Sequence, residues 1–328
     1  MWVTHASLED AFQWLCQQRR DYPASSDVWD VRRHWSERKE TLRAKLLRGD
    51  YRFKPLSLVT NAQGQKRALW SSEDALVLRC LTQHLASVLP LHPRCEHIKG
   101  HQGGRQSVKA LHRHIKRSQQ AFVCRTDIKG YYANIRTDIL LSQLKRHVSD
   151  SAILSLLSQF LHYSVEEGGV FHTPTKGIPR GSSLSPLLAA FHLHDMDAYF
   201  AEQPGLYYAR YMDDFILLTD TRWQLKAAVR RLNQFFHAFG FKQHPDKTFI
   251  GRIAKGFDWM GFWFTNLGCQ DAAPRALQNH VIKTQRLYEQ IRTRPAKEQA
   301  ELMLSYMTRW ARWKNTTLSS CLATAPLP

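Results

Sequence analysis

At 328 residues and 43% hydrophobic content, the chain is long enough for two or three packed subdomains and too apolar to belong to the disordered class. Lys and Arg number 46 against 28 Asp and Glu, a formal charge of +18 spread along the whole length, which points to a polyanionic partner. No run of eighteen apolar residues occurs, Met1-Trp2-Val3-Thr4-His5 lacks the pattern of a secretory leader, and six scattered cysteines include no Cys-x-x-Cys pair; a cytoplasmic protein with no membrane partner, no disulfide framework and no zinc site is therefore expected.

Residues 1–50 read as a helical, basic N-terminal extension, with Leu8, Phe12 and Leu15 at helical spacing, followed by Trp29, Trp35, Leu42 and Leu46. From Tyr51 to Arg67 the alternation predicts two short strands, joined by a turn at Asn61-Ala62-Gln63-Gly64. Ser71-Ser72-Glu73-Asp74 has the form of a capping box ahead of Ala75-Leu76-Val77-Leu78. His101-Gln102-Gly103-Gly104-Arg105-Gln106-Ser107 reads as a glycine-rich basic loop before another helix; without the Gly-Lys-Ser/Thr ending it is not an NTP-binding P-loop. The histidines nearby, His92, His97, His101, His112 and His114, are read as contacts to RNA or solvent.

Beyond the stretch from Phe122 to Tyr132 a helix is expected to start near Thr137-Asp138, with Leu140, Leu141, Leu144 and Val148 inward. Ser185-Pro186 combines a capping serine with proline at the first helical position, predicting a helix from Leu187 through Phe200. Leu206–Arg210 and Ile216–Leu218 are rich in strand formers and flank Tyr211-Met212-Asp213-Asp214. Neighbouring side chains on a straight strand point to opposite faces, so the adjacent carboxylates serve one site only if the backbone turns at Met212-Asp213. Leu225, Ala228, Val229, Leu232, Phe235, Phe236 and Phe239 then recur at helical steps until Gly240. From about 274 the chain is helical and basic, carrying Lys283, Arg286, Arg292 and Arg294, with Tyr306, Trp310 and Trp313 expected to pack the helices together.

Tyr211-Met212-Asp213-Asp214 resembles the signature of reverse transcriptases, and four further stretches resemble that family's motifs in the same order. Phe122 through Tyr132 is similar to the first catalytic strand, and Gly177 through Leu188 to the loop and helix under template and nucleotide. Pro245-Asp246-Lys247-Thr248 resembles the lysine motif, and Phe257 through Phe264 the primer-grip hairpin. The resemblance is to bacterial enzymes of the group II intron, retron and defence-associated groups. It implies an α+β right-hand polymerase: fingers over 51–120, a palm of antiparallel sheet on helices over 121–268, and a small helical thumb over 269–328.

The implied activity is RNA-directed DNA polymerisation, extending a DNA or RNA primer with dNTPs on an RNA template. Two Mg²⁺ ions, replaceable by Mn²⁺, are implied, held by Asp127, Asp213, Asp214 and the Ile128 carbonyl; Lys247 is implied as the acid for departing pyrophosphate. Lys66 and Arg67 are implied contacts of the triphosphate, Tyr132 the ring excluding a 2′-hydroxyl, Gly181 a close approach to the base pair, and Met260 and Gly261 the primer grip. Arg180 departs from the family, where many members carry Gln, and as a permanent cation it is read against template backbone or nucleotide phosphates. The rival classes are an RNA-templated RNA polymerase, opposed by bulky Tyr132, and a silent RNA-binding scaffold, opposed by three intact carboxylates. A retron, an intron remnant, a diversity-generating element and a phage-defence enzyme all remain as settings, with a dedicated non-coding RNA or effector protein as a further partner. Ser185-Pro186 counts against the diversity-generating group and Met212 against retrons. No endonuclease, RNase H or large maturase domain is expected.

Overall fold

A computed structural model of the protein describes residues 2–60, 66–98, 100–101 and 103–322. The chain runs α1 (His5–Gln18), α2 (Asp27–Arg33), α3 (Trp35–Arg48), β1 (Leu56–Thr60), β2 (Lys66–Leu69), α4 (Ser72–Leu85) and α5 (Gly103–Arg117). It continues through β3 (Phe122–Asp127), α6 (Tyr131–Asn134), α7 (Thr137–Lys145), α8 (Ser151–Leu161), β4 (Val165–Glu167), β5 (Val170–His172), α9 (Leu184–His192) and α10 (His194–Ala201). Then come β6 (Leu206–Tyr211), β7 (Asp214–Thr219), α11 (Arg222–Phe239), β8 (Phe249–Arg252), β9 (Phe257–Trp259), β10 (Phe262–Thr265), β11 (Gly268–Ala272), α12 (Pro274–Ile291) and α13 (Ala296–Leu322). These elements form an α+β fold of largely antiparallel sheets and helices in two compact units.

One unit comprises Met1–His92, Lys129–Asp195 and Phe235–Lys242. The N-terminal helices α1 and α2 pack on α4, burying Leu8, Leu15, Val28 and Val31 with Leu76, Cys80 and Leu81. Ser71 caps α4 by accepting from the Asp74 N–H at 3.1 Å. Asp74 is itself wholly buried and accepts from the Tyr51 hydroxyl at 2.8 Å, the pairing that a buried carboxylate requires. The sheet order is β2-β1-β4-β5, with β1 antiparallel to β2 and parallel to β4. The expected turn at Asn61–Gly64 lies outside the described residues.

The helix expected over Leu187–Phe200 with Ser185 as its cap is arranged differently. It begins at Leu184, and a break at Leu193 divides it into α9 and α10. The capping-type bond comes from Ser182, whose hydroxyl accepts from the Ser185 N–H at 3.1 Å. The Ser185 hydroxyl is turned the other way and donates to the Pro179 carbonyl at 2.5 Å. Pro186 is tolerated because it still lies among the first helical residues, whose N–H groups have no partner within the helix.

The second unit comprises Pro93–Ile128, Met196–Gln234 and Gln243–Pro328. Its four-stranded sheet has the order β6-β7-β3-β8 and is antiparallel throughout, with Asp127 opposite Asp214 and Tyr211 opposite Asp214 in register, and a three-stranded sheet has the order β11-β10-β9. Val108, Leu111 and Ile115 of α5 pack into one core with Val123, Ile216 and Leu218 of the sheet and Phe257, Trp259, Phe262 and Phe264 of the next hairpin. Each fully buried side chain of this size contributes about 1.5–3 kcal/mol. From Gly103 onward the stretch expected as a glycine-rich loop is instead the start of α5. Glycine suits Gly104 for a packing reason, because an added Cβ would lie 3.0 Å from the Met260 methyl.

Strands β9 and β10 are joined by Met260 and Gly261 with φ of 50° and 84°, the two positive values of a type I′ hairpin turn. In the C-terminal helices Trp310 stacks on His280 at 3.9 Å and Trp313 packs on Phe262 at 4.6 Å, so these aromatics join elements, as expected. All six cysteines are free thiols. No helix among the described residues is long and apolar enough to cross a membrane.

Candidate active site

Strands β6 and β7 are linked by only two residues, so Met212 and Asp213 must reverse the chain. Met212 takes φ 55°. A positive value at the first central position alone is the pattern of a type II′ turn, which favours glycine, and a side chain there costs about 1–2 kcal/mol. Three hydrogen bonds hold the strained turn. The Met212 N–H donates to His97 Nδ1 at 3.0 Å, Arg210 Nη1 donates to the Met212 carbonyl at 3.0 Å, and the Ile128 N–H donates to the Asp213 carbonyl at 3.1 Å. With the turn fixed, one carboxylate oxygen from each of Asp127, Asp213 and Asp214 lies within 4.8 Å of the others.

Beneath the turn is a fully buried ion pair. Asp197 accepts from Arg210 through both oxygens, at 2.8 Å and 2.5 Å, and from the Tyr208 hydroxyl at 2.6 Å; neither charged side chain has any exposure. Burial, with the Asp197 charge beside it, pushes the Tyr208 hydroxyl well above its ordinary range, so it stays a donor. The segment carrying His97 runs along the edge of β6, with Glu96 N–H donating to Arg210 O at 2.7 Å and Arg210 N–H to Arg94 O at 2.8 Å. His97 therefore supports the turn, and His112 likewise accepts from the Cys269 N–H at 3.0 Å. Both were expected to face RNA or solvent; His112 is instead buried, while His97 is half-buried with Nδ1 held by the backbone.

Two cations attend the carboxylates. Lys247 Nζ donates to Asp127 Oδ2 at 2.9 Å, and Arg125 Nη2 donates to Asp214 Oδ1 at 2.9 Å while lying 3.5 Å from Asp258 Oδ2. Arg125 Nη1 also donates to the Lys247 carbonyl at 2.7 Å, so one guanidinium ties β3 to β7, β9 and the lysine turn. Burial nonetheless raises Asp214 to about 6; Arg125 opposes the rise, and Asp127 and Asp213 add to it. Three oxygen donors that repel one another across so short a gap fit a hard divalent cation, which relieves the repulsion and satisfies the ligands. Next to them is a cavity of about 280 Å³ lined by Asp214, Lys247, Asp258, Gly261, Arg275 and Asn279. Gly261 is confined as well as positive in φ, since an added Cβ would meet the Trp313 ring at 3.2 Å.

The remaining residues singled out in the sequence belong to the other unit. The Tyr132 carbonyl accepts from the Ile178 N–H at 2.9 Å and Gly177 N–H donates to Ile135 O at 2.8 Å, which brings Tyr132 together with the loop carrying Arg180 and Gly181. Gly177 has to be glycine there, because a Cβ would sit 2.9 Å from the Ala133 carbonyl. Tyr132 is half-buried with its ring edge-on to Tyr131, and Arg180 is exposed. Gly181 has φ 85° with nothing within 4 Å of a built Cβ, so its backbone conformation, not crowding by the protein, calls for glycine. Lys66 and Arg67 lie on β2 opposite Thr60 and Val59, and their side chains are outside the described residues.

Sequence reasoning missed Arg125, His97 and the Asp197–Arg210 pair. Charged residues inside apolar strands, at Arg125 and Arg210, were the available signal.

Residues 65–264 match the family described as "Reverse transcriptase (RNA-dependent DNA polymerase)". Protein YkfC of Escherichia coli (strain K12) is 23% identical over 174 residues, covering 43% of this chain and 46% of that protein. The Group II intron-encoded protein LtrA of Lactococcus lactis subsp. cremoris is 34% identical over 73 residues, 22% of this chain and 12% of its own length. The Telomerase reverse transcriptase of Rattus norvegicus is 32% identical over 121 residues, 35% of this chain and 11% of its own length. The chain thus spans less than half the length of each of these relatives.

Proposed function

The chain belongs to the reverse transcriptase family, and on that premise we propose that it is an RNA-directed DNA polymerase that extends a DNA or RNA primer with deoxynucleoside triphosphates on an RNA template. The observation that carries this reading is the convergence of Asp127, Asp213 and Asp214 within 4.8 Å around a tightly held turn. When bound, two Mg²⁺ ions, or Mn²⁺ in their place, stabilise charge on the attacking and leaving oxygens of in-line phosphoryl transfer. Asp127, Asp213, Asp214 and the Ile128 carbonyl supply hard oxygen ligands suited to such ions. Arg125 fixes the Asp214 carboxylate in place, and the Lys247 ammonium donates the proton that departing pyrophosphate takes up.

In this reading Lys66, Arg67 and Arg180 meet phosphates, Gly181 lets the backbone lie against the nascent base pair, and Tyr132 bars a 2′-hydroxyl. Met260 and Gly261 hold the primer end, and the cationic side of the neighbouring cavity, from Lys247 and Arg275, suits its phosphodiester. The domain roles follow: residues 1–50 an extension, 51–120 fingers, 121–268 palm and 269–328 thumb. The biological setting is a bacterial retroelement or a phage-defence system, with a dedicated non-coding RNA or effector protein as partner; likeness to a group II intron-encoded protein supports the first.

Purified protein given an RNA template, an annealed DNA primer and each nucleotide type in turn tests the reading. Alkali-stable product complementary to the template, dependent on a divalent cation, is expected. Extension with ribonucleotides alone would contradict it.

A further inference from the structure

The second unit holds a cationic and apolar surface that the polymerase reading does not use. Helix α11 begins with Arg222-Trp223-Gln224-Leu225-Lys226, and its 18 residues include no Asp or Glu. Arg222, Lys226 and Arg230 recur every fourth residue, so they form one stripe along a helix face. Trp223 beside them is 77% exposed, and Lys226 Nζ stands 5.6 Å from its ring centroid. An indole left in water this completely gains nothing for folding.

Strand β8 is an edge of the four-stranded sheet, and its Ile250 is 50% exposed. Arg252, two residues along, shares the face of Ile250 and lies over the Phe122 ring. Between α11 and this edge runs a groove of about 540 Å³ lined by Arg222, Trp223, Leu225, Lys226, Val229 and Ile250. Its floor is aliphatic, its rim is cationic, and no carboxylate lines it. That volume falls in the range of a site for a group of small-molecule size.

We propose that this groove is a second binding surface, separate from the three carboxylates, for a single-stranded RNA segment. Unpaired bases stack on Trp223 and lie over Leu225, Val229 and Ile250, and Arg222, Lys226 and Arg230 neutralise successive phosphates. The charge is what selects nucleic acid over a peptide: an apolar groove made for a protein carries no need for three cations on one helix face and no acid among its lining residues. RNA is preferred to DNA because the family reading makes RNA the strand present before synthesis, and this choice alone rests on that reading. Such a surface would hold a template or guide RNA outside its copied part while the primer end moves.

The test uses the full chain with the polymerase cleft filled by a short hairpin primer–template, and a labelled unstructured RNA of about 15 nucleotides as probe. Trp223→Ala should weaken probe binding about tenfold, and Arg222→Glu/Lys226→Glu should weaken it further and reduce the salt dependence by about two phosphate contacts. Extension of the short hairpin should stay within about twofold of wild type in each variant, as neither touches the carboxylates. Crosslinks from 4-thiouridine in the probe should map to the peptides carrying Trp223 or Ile250. Unchanged probe affinity in both variants overturns the proposal, whatever the polymerase assay gives. Equal binding and equal losses with single-stranded DNA overturn the choice of RNA. A change of oligomeric state in Trp223→Ala, with RNA affinity intact, would mean a protein face instead.

Discussion

Asp197→Ala separates what holds the Met212–Asp213 turn from what holds the fold. Both members of the Asp197–Arg210 pair are wholly buried, and the carboxylate takes three hydrogen bonds. Removing it leaves a guanidinium uncompensated in the core, which costs about 3–5 kcal/mol. The Tyr208 hydroxyl loses its acceptor, a further penalty of about 1–3 kcal/mol, and because the groups share one network the sum falls short of additive, at about 4–6 kcal/mol. Against a domain stability of about 5–15 kcal/mol this is a large fraction, readable as a lower urea midpoint at unchanged slope. The double variant Asp197→Leu/Arg210→Met exchanges the pair for apolar groups of similar size, and most of the stability should return. Primer extension should not return with it, since the Met212 carbonyl has lost the Arg210 donor and the strained turn is held by fewer bonds. If the double variant regains both stability and full extension, Arg210 is a packing residue only, and the role given to it here is wrong.

Three further outcomes are expected. Asp214 rises from 3.8 to about 6 on folding, so it favours the folded state fully below about pH 4, and that contribution, about 3 kcal/mol, is lost as pH climbs through 6; a divalent cation should therefore raise the melting temperature more at pH 7.5 than at pH 5, a difference that Asp214→Asn should flatten. Arg125→Met should lower the turnover number by about ten- to hundredfold, the worth of a charge-assisted hydrogen bond of about 1.5–3 kcal/mol, with Arg125→Lys recovering part; equal rates in all three proteins would remove Arg125 from the site. Tyr132→Ala should shift kcat/KM toward ribonucleotides by about tenfold, or about 1.4 kcal/mol, while Tyr131→Ala, which loses a buried ring and a 2.7 Å bond to the Ala189 carbonyl, should chiefly lower stability; an unchanged nucleotide ratio in Tyr132→Ala would oppose its role.

Much of this was legible in local pattern. The hairpin of Tyr211-Met212-Asp213-Asp214 follows from apolar flanks around two acids that cannot share a face unless the chain turns, and the turn falls at Met212–Asp213 with φ 55° at Met212. The helix of Leu225 to Phe239, closed by Gly240 at φ 76°, is likewise read directly from periodicity.

What escaped depends on partners far apart in the chain. His97 looks like any histidine of a basic stretch until β6 brings Met212 to it across 115 residues. Arg125 and Arg210 stand out as charges within apolar strands, but Asp214, Asp258 and Asp197 are assigned to them only by the sheet register and by α10. Two glycines before Arg105 suggested a loop because glycine disfavours helix; the methyl of Met260, more than 150 positions away, provides the packing reason for the smaller residue. Ser185 satisfied the local rule for a cap, yet the Pro179 carbonyl, buried beside it and in need of a donor, took its hydroxyl.

The most direct measurement is primer extension on an RNA template by wild type and Asp213→Ala, both checked for folding by circular dichroism, across a titration of Mg²⁺. A site assembled from three carboxylates predicts template-directed DNA synthesis by wild type and a loss of at least about a hundredfold in the variant, since one missing metal contact removes several kcal/mol of transition-state stabilisation. Extension by Asp213→Ala at near wild-type rate would contradict the account at its centre.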